Sequence, residues 1–250
     1  MEKRAPQKID WVMVESEGFR FYNLNPEEGI HIYFTTKTTF NDSNENDTQV
    51  SEQIRALGLS DSIVTMKQTH SDTVVSVDFP QEIQADACFT TMTGIALVVK
   101  VADCVPIFLW SELTKLIGVV HAGWRGTLSK IVLRFLETVE GALKLPPHMI
   151  KYSLGPSIGN CCYKVGRDVI EAYERLWPES KNFFEKKRGN TYLDLRSANR
   201  FLLNSVGALE AKSLNLCTHC ESKRFYSYRR DSGKGRNIGI IIMGETKALT

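Results

Sequence analysis

The sequence has no long apolar run. A membrane-spanning helix needs about 18 or more consecutive apolar residues, and no segment of this 250-residue chain approaches that length. The N-terminal stretch MEKRAPQKIDW is basic, but no apolar segment follows it, so we expect no secretory signal. These absences predict a cytoplasmic protein without a membrane partner.

An excess of charge of one sign is also absent, because 31 Lys and Arg residues face 29 Asp and Glu residues. The resulting formal net charge of +2 argues against nucleic acid as a partner. Hydrophobic residues make up 42% and charged residues 24% of the chain, as in ordinary folded domains. We expect residues 1–250 to form a single domain, present as a monomer or a homodimer.

A disulfide framework is not expected, because six cysteines in a chain without an export signal are typical of reduced thiols. Adjacent Cys161 and Cys162 are interpreted as two small, buried, apolar side chains. The segment CTHC, residues 217 to 220, is half of a zinc motif. A second half with the usual spacing is lacking, which favours buried thiols over a structural zinc site.

Secondary structure follows from periodicity. Residues 41 to 48 (NDSNENDT) are polar and predict an exposed loop. Helical spacing predicts helices from Thr127 to Leu143, over 166 to 177 and over 194 to 209. Strand-like segments are IHIYFTT (30–36), SIVTMKQ (62–68), TVVSVDF (73–79), IALVVKVADCVPIFLW (95–110), LIGVVHA (116–122) and NIGIIIM (237–243). The mixed order predicts an α+β fold with a mixed sheet.

Polar residues interrupt the apolar segment KVADCVPIFLW at Asp103 and Cys104. If SELT (111–114) is a four-residue hairpin loop, Cys104 lies opposite His121, with Cβ atoms about 4.5–5.5 Å apart. A slip of one residue would place the two side chains on opposite faces. Pro106 predicts a bulge or an edge nearby.

His70, at the turn in MKQTHSD, adds a second imidazole. Two imidazoles and one thiolate with a vacant position are the pattern of catalytic zinc, which activates water near neutral pH. Spacing alone leaves two alternatives open. Cys104 and His121 could be a nucleophile and its base, or they could be a buried thiol and a hydrogen-bonded structural histidine.

Seven motifs resemble, in order, those of the YfiH family, also described as multicopper polyphenol oxidase, laccase-domain or purine nucleoside phosphorylase proteins. They are KQTHSDTV, ADACFTT, VADCVPIFL, GVVHAGWRGTL, LGPSIGNCCYKVG, DLRSANRFLL and CTHCESKRFYSYRRDSGKGR. The similarity runs from about Ile30 to Met243. It implies a four-layer α/β/β/α fold similar to a bacterial toxin deamidase.

The resemblance also implies a site and an activity. The family's metal ligands correspond to His70, Cys104 and His121, with Zn²⁺ as the expected cofactor and copper binding possible in vitro. The implied substrates are phosphate and the purine nucleosides adenosine, inosine, guanosine and methylthioadenosine, with deamination of adenosine in addition. Two departures, Lys37 in place of Arg and Gln53–Ile54 in place of Asn–Arg, are expected to lie at the rim of the site.

Other residues are assigned by the chemistry that these reactions need. The nucleobase-deaminase signature HxE followed by PCxxC is missing, and Asp103 is the nearest acidic candidate, with a structural carboxylate as the alternative. Arg125, expected just before a helix that begins near Thr127, could hold phosphate or could be a surface residue. Arg229 and Arg230, with Lys37, are expected at the substrate; a charged hairpin or a small RNA-binding patch are the alternatives for FYSYRRDSGKGR.

Three functional classes remain open beside one another. The first is a zinc-dependent purine nucleoside phosphorylase and adenosine deaminase. The second is a thiol hydrolase or deamidase with Cys104 as nucleophile and His121 as base. The third is a non-catalytic binding protein. The copper-dependent polyphenol oxidase implied by the older family name would need many more imidazoles than the five histidines of this chain.

Overall fold

The computed structural model describes residues 10–16, 19–37 and 46–244. Its strands, in chain order, are β1 (Val12–Ser16), β2 (Phe19–Glu27), β3 (Ile30–Thr35), β4 (Ser62–Met66), β5 (Val74–Ser76), β6 (Gln81–Ile83), β7 (Ala87–Thr90), β8 (Ile95–Val101), β9 (Val105–Ser111), β10 (Leu116–Ala122), β11 (Lys151–Leu154), β12 (Lys164–Val165), β13 (Phe184–Lys187), β14 (Asn190–Leu193), β15 (Leu209–Glu210) and β16 (Asn237–Met243). Its α-helices are α1 (Asp47–Ala56), α2 (Trp124–Leu128), α3 (Ile131–Leu143), α4 (Arg167–Leu176), α5 (Leu195–Ser205) and α6 (Tyr228–Asp231).

The strands form two large sheets and one small one. The seven-stranded sheet has the order β1-β2-β3-β16-β8-β4-β6, the six-stranded sheet β15-β11-β9-β10-β7-β5, and the three-stranded sheet β12-β14-β13. Both large sheets are mixed, because β4 runs parallel to β6 and β8, β5 to β7, and β11 to β15, while the other pairs are antiparallel. The predicted α+β class with mixed sheets is confirmed.

Three cores separate four layers. Helix α1 packs Val50 and Ile54 against the outer face of the seven-stranded sheet. The inner faces of the two large sheets share a core that includes Phe108 and Trp110. Helices α3, α4 and α5 cover the outer face of the six-stranded sheet. The order is therefore α/β/β/α, as the resemblance implied.

The apolar segment 95–110, expected to be one strand, is two strands in different sheets. Strand β8 belongs to the seven-stranded sheet and β9 to the six-stranded sheet, so the chain crosses between sheets at residues 102–104. Asp103 has a φ of 84°, a left-handed conformation that a strand cannot contain. The composition of the segment does not mark this crossing. Nearly every residue of both strands is buried, so each strand is apolar throughout.

The hairpin of β9 and β10 has a register two residues away from the prediction. Ser111 pairs with Leu116, so the loop is 112–115, and His121 lies opposite Pro106, not Cys104. A shift of two residues keeps every side chain on its predicted face. Neither the bulge nor the edge expected at Pro106 is found, because the register is continuous and β9 lies between β11 and β10. The Pro106 carbonyl accepts a hydrogen bond from Gly155 N at 2.9 Å.

The helix predicted from Thr127 is two helices, α2 and α3, because Lys130 adopts a left-handed conformation with a φ of 57° between them. The helix predicted over 166–177 is confirmed as α4. The helix predicted over 194–209 is confirmed as α5 up to Ser205, but its predicted end is wrong, because Leu209 lies in strand β15. The predicted loop is wrong at its end, where Asn46 caps α1 by accepting a hydrogen bond from Thr48 N at 2.9 Å; residues 41–45 lie outside the described residues. No helix in the described ranges is long and apolar enough to cross a membrane.

Candidate functional site

His70, Cys104 and His121, called here the ligand triad, lie together. One ligand atom from each residue lies within 4.8 Å of the other two. Cys104 Sγ is 3.9 Å from His70 Nε2, and the two imidazole centroids are 4.9 Å apart at an interplanar angle of 71°. The spacing is that of side chains that share one small ion.

Two strands and a turn bring the triad together. Cys104 immediately precedes β9, and His121 lies in β10 opposite Pro106. Cys104 is thus a diagonal neighbour of His121 on the same face of the sheet. His70 follows β4 in a turn and has a φ of 61°, a conformation that is uncommon outside glycine and is found where the surroundings hold it.

Asp86, which the sequence analysis did not single out, holds both histidines. Its fully buried carboxylate accepts hydrogen bonds from the backbone N–H groups of Thr69, His70 and Ser71 at 2.7–3.1 Å. The same carboxylate lies 2.8 Å from His121 Nδ1. One buried carboxylate therefore fixes the turn of one histidine and the ring of the other. Its position in ADACFTT, directly before an apolar strand, was the signal available in the sequence.

Asp86, Cys104 and His121 shift the pKa values of one another. Burial would raise the pKa of Asp86, but hydrogen bonds from His121 and Ser71 hold it well below its ordinary value. Burial would likewise raise the pKa of the Cys104 thiol, but the two histidines lower it to about 6. Burial would lower the pKa of His121, but the Cys104 thiolate and Asp86 raise it to about 9. Thiolate, the form that binds metals, is therefore available at neutral pH.

The residues present fit a metal ion. Asp86 holds one proton of His121 on Nδ1, so Nε2, whose proton a bound metal ion would displace, is the ligand atom, the arrangement common around metal-binding histidines. A Cβ at Gly123 would lie 2.9 Å from Cys104 Sγ and 3.0 Å from His70 Cδ2, so the backbone approaches the triad closely at a residue without a side chain. Two imidazoles and one thiolate suit zinc, and the same set can bind copper.

Asp103 is engaged in structural hydrogen bonds. Its carboxylate accepts from Thr218 Oγ1 at 2.6 Å, Ser227 Oγ at 3.0 Å and Arg229 N at 2.8 Å. These bonds tie the crossing between the sheets to the segment that carries Arg229. They agree with the structural alternative, while the catalytic role of Asp103 stays a prediction.

The triad opens into a cavity of about 790 Å³, a volume typical of small-molecule sites. The Arg125 guanidinium lies over the Trp124 ring, 4.3 Å from its centroid. Arg229 lies 5.3 Å from the centroid of Tyr163 and donates to the Lys164 carbonyl at 2.8 Å. The cavity is lined by Asp47, Lys67, Gln68, His70, Glu82, Lys100, Ala102, Asp103, Cys104, His121, Trp124, Arg125, Tyr163, Tyr228, Arg229 and Arg236. Aromatic rings thus orient two guanidinium groups in the cavity that the ligand triad also lines.

Arg125 lies inside a helix, not before one. Helix α2 begins at Trp124, so the expected helix start near Thr127 is wrong. Arg125 is the second residue of α2, and its side chain lines the cavity. This segment therefore contributes the Arg125 guanidinium to the cavity, and not the N-terminus of a longer helix.

Two other basic residues predicted at the substrate are directed elsewhere. In the described part of the chain, Lys37 and Arg230 are not among the residues that line the cavity. Arg230 donates to the carbonyls of Thr218, His219 and Phe225 at 2.6–2.9 Å. Lys37 Nζ lies 3.5 Å from the Asp231 carboxylate. Both side chains hold the loop around α6 together.

Ile54, one of the residues at which this chain departs from the family pattern, does not lie at the rim of the site as expected. Ile54 is fully buried and packs with Val50 in the core beneath α1. Its side chain therefore stabilises the packing of that helix on the seven-stranded sheet.

The interpretation of four cysteines as buried thiols is also wrong. Cys161 and Cys220 are exposed, and Cys162 and Cys217 are half-buried. Their sulfur atoms lie within 4.8 Å of one another. The adjacent pair of cysteines thus lies beside the two cysteines of CTHC, and only the fold brings the two pairs together.

Comparisons with known proteins agree with this architecture. The model of the multi-copper polyphenol oxidoreductase laccase family matches residues 31–244. A purine nucleoside phosphorylase of Xylella fastidiosa is 37% identical over 78% of this chain and 77% of its own length. The purine nucleoside phosphorylase LACC1 of Homo sapiens is 32% identical over 72% of this chain, which spans 43% of that longer protein. Adenosine deaminase RL5, from an unknown prokaryotic organism, is 33% identical over 74% of each chain.

Solved structures of related proteins share the fold. YlmD of Geobacillus stearothermophilus has a TM-score of 0.80 at 27% identity, covering 96% of this chain and 100% of its own. The hypothetical protein YfiH of Bacillus licheniformis also has a TM-score of 0.80, at 26% identity, covering 92% of this chain and 98% of its own. The resemblance to the YfiH family is confirmed.

Proposed function

The chain belongs to the multi-copper polyphenol oxidoreductase laccase family, and we propose that it is a zinc-dependent purine nucleoside phosphorylase that also deaminates adenosine. The names of its relatives support both activities. The observation that carries the proposal is one cavity that contains the ligand triad and two guanidinium groups, those of Arg125 and Arg229.

The number of histidines favours a zinc site over the multicopper site of an oxidase. A laccase holds several copper ions with many histidines, and this chain has five. Within the described residues, His31, His148 and His219 belong to neither group of side chains that could hold a metal ion. A zinc ion bound by the triad would supply Lewis acidity and activate water at neutral pH.

Phosphorolysis needs an anion held beside the ribose. A phosphate oxygen forms a bond to C1′, the bond from C1′ to N9 of the purine breaks, and its electron pair stays with the base, which takes up a proton. The products are ribose 1-phosphate and the free base. Arg125 and Arg229 hold the phosphate through charge-assisted hydrogen bonds, and Trp124 and Tyr163 orient the two guanidinium groups. The Tyr228 ring, on a residue that is 61% exposed, offers a stacking surface for the purine.

Deamination uses water instead of phosphate. The water oxygen forms a bond to C6 of adenine, the bond from C6 to the amino nitrogen breaks, and ammonia leaves with a proton that the water provides. The products are inosine and ammonia. The chain's contribution is to hold the purine ring with C6 towards His70, Cys104 and His121.

The test measures products and metal together. Purified protein is incubated with adenosine, with and without phosphate, and the products are separated by chromatography. We expect adenine and ribose 1-phosphate only when phosphate is present, and inosine in both cases. A chelator should stop both reactions and added zinc should restore them. His121→Ala should abolish both, whereas His148→Ala, at an exposed residue outside the cavity, should leave them unchanged. Turnover that survives both the chelator and His121→Ala would overturn the proposal.

A thiol hydrolase or deamidase is the second candidate, because the pKa of Cys104 is lowered to about 6 beside two imidazoles. In that case Cys104 attacks a carbonyl or amidine carbon, the bond from that carbon to the leaving group breaks, and His121 gives a proton to the leaving group. Water then cleaves the bond between carbon and sulfur and returns the thiol. Iodoacetamide would abolish this activity and a chelator would not. Zinc would protect Cys104 from alkylation under the first proposal alone.

A further inference from the structure

A second cluster of metal-ligand side chains lies outside the cavity. The tetrathiolate cluster comprises Cys161, Cys162, Cys217 and Cys220. Cys161 and Cys162 follow β11, and Cys217 and Cys220 lie between β15 and α6. A parallel bridge between Ser157 and Cys217 joins the two segments. The neighbouring pair and the CxxC pair thus face each other across a fixed backbone contact.

The sulfur positions match a tetrahedral ion. Zinc binds thiolates at about 2.3 Å, which places the sulfurs of a tetrahedral site about 3.8 Å apart. Cys220 Sγ lies 3.7 Å from Cys161 Sγ and 3.4 Å from Cys162 Sγ, and all four sulfurs lie within 4.8 Å of one another. Apolar burial does not account for the grouping, because Cys161 and Cys220 are exposed.

The surroundings favour negative charge on the sulfur of Cys217. The Gly159 N–H donates to Cys217 Sγ at 3.2 Å, and a bond of this kind stabilises a thiolate. A Cβ at Gly159 would lie 2.8 Å from Arg196 Nη2 and 3.0 Å from Cys161 Sγ, so the guanidinium lies beside the cluster. The buried Nη1 of Arg196 has no hydrogen-bond partner among the described residues. Four thiolates around a divalent ion carry a net charge of −2, of which the guanidinium of Arg196 would offset one unit.

We propose that the tetrathiolate cluster is a structural site for Zn²⁺, separate from the ligand triad. Four cysteine ligands leave no open position, as expected of a structural and not a catalytic zinc site. The sequence does not show this site as a motif, because zinc motifs contain cysteine pairs separated by two or more residues, and Cys161 and Cys162 are adjacent.

The site would join two segments that shape the catalytic cavity. Cys162 directly precedes Tyr163, whose ring carries the Arg229 guanidinium. Thr218, next to Cys217, donates to the Asp103 carboxylate at 2.6 Å, which also accepts from Arg229 N. An ion that holds both segments therefore positions the wall that carries Arg229, without contact with substrate.

Alkylation of the wild-type protein tests the site without the need for a variant that folds. Protein loaded with zinc is treated with iodoacetamide under native conditions, with and without a chelator, and the labelled cysteines are mapped by mass spectrometry. We expect exposed Cys161 and Cys220 to be protected by zinc and labelled after chelation. Labelling that zinc does not reduce would overturn the proposal. Protection that the chelator leaves intact and a reductant removes would show a disulfide instead, and would overturn it as well.

Metal content gives the second test. Wild-type protein should bind two zinc ions per chain, and the variant Cys217→Ser with Cys220→Ser should bind one. His121→Ala should also bind one, and the combination of all three substitutions none. Cys88→Ala, at the cysteine outside both groups, should keep two. A wild-type content of one ion that the double serine variant retains would contradict the site and leave the proposed activity intact.

Discussion

The carboxylate of Asp86 lies 2.8 Å from Nδ1 of His121, and both side chains are buried in the six-stranded sheet. Asp86 precedes β7, and its backbone carbonyl accepts from His121 N at 2.7 Å. Main chain and side chain thus bind the same histidine. Because the carboxylate also anchors the turn of His70, the geometry of two triad ligands depends on one residue outside the triad.

Asp86→Asn should lower the affinity for zinc about 10–100-fold, because an amide neither matches the charge of the carboxylate nor accepts as many hydrogen bonds from the 69–71 turn. The measurement is competition with a chelator of known affinity. Asp194→Asn is the matched control. Asp194 caps α5 by accepting from Ser197 N at 2.9 Å, so this change should cost at most about 1 kcal/mol of stability and leave zinc affinity unchanged. Equal affinities for the two variants would contradict the role of Asp86.

Arg125→Lys should raise the KM for phosphate in phosphorolysis about tenfold, because an ammonium group cannot make the paired hydrogen bonds of a guanidinium. Adenosine deamination, which uses no phosphate, should change much less. Initial rates at varied phosphate and varied adenosine separate the two effects. Arg167, whose side chain is 92% exposed, provides the control, since Arg167→Lys should alter neither reaction. A similar loss in both reactions would place Arg125 in purine binding or in the fold instead.

The stability of the α6 segment should depend on pH through Asp231. Burial would raise the pKa of Asp231, but Arg230, the Ser227 N–H and Lys37 lower it to about 2. A carboxylate with a depressed pKa stabilises the folded state fully above its ordinary pKa and loses that contribution as the pH falls through the folded-state value. Asp231→Asn should therefore lower the free energy of unfolding by about 1–2 kcal/mol at pH 7, and the difference from wild type should shrink towards pH 2.

Urea unfolding across this pH range checks the expectation for Asp231. Asp61→Asn, at an exposed residue, is the control and should change the free energy of unfolding by less than about 0.5 kcal/mol throughout. A constant difference between wild type and Asp231→Asn at all pH values would show that the charge of Asp231 is not responsible.

The two large sheets approach closely at Gly239 in β16. A Cβ at this position would lie 2.7 Å from Phe108 Cζ and 2.9 Å from Val99 Cγ1, so Gly239→Ala should destabilise the protein by about 1–3 kcal/mol through overpacking. Gly141→Ala is the opposite case. Gly141 lies within α3 with no atom within 4 Å of its would-be Cβ, so alanine should stabilise by about 0.5–1 kcal/mol. Thermal unfolding of both variants distinguishes packing from backbone effects.

Local pattern was enough for the elements whose signal lies within a few residues. The strands β3, β10 and β16 and the helices α4 and α5 follow from periodicity. Periodicity did not reveal helix α1, because its buried stripe is narrow, with only Val50 and Ile54 inside the helix buried. The split of segment 95–110 was missed because both strands are apolar throughout, and no change of composition marks the crossing between sheets.

The sequence by itself determined the residue types of the ligand triad and the α+β class, because both depend on chemistry and periodicity within single segments. Only the tertiary structure decided the role of Asp86, the meeting of the ligand triad and the meeting of the four cysteines. These features join residues far apart in the chain: 34 positions separate His70 from Cys104, and 59 separate Cys161 from Cys220. Such contacts form when sheets and helices pack together, and the secondary-structure preferences of short segments do not predict them.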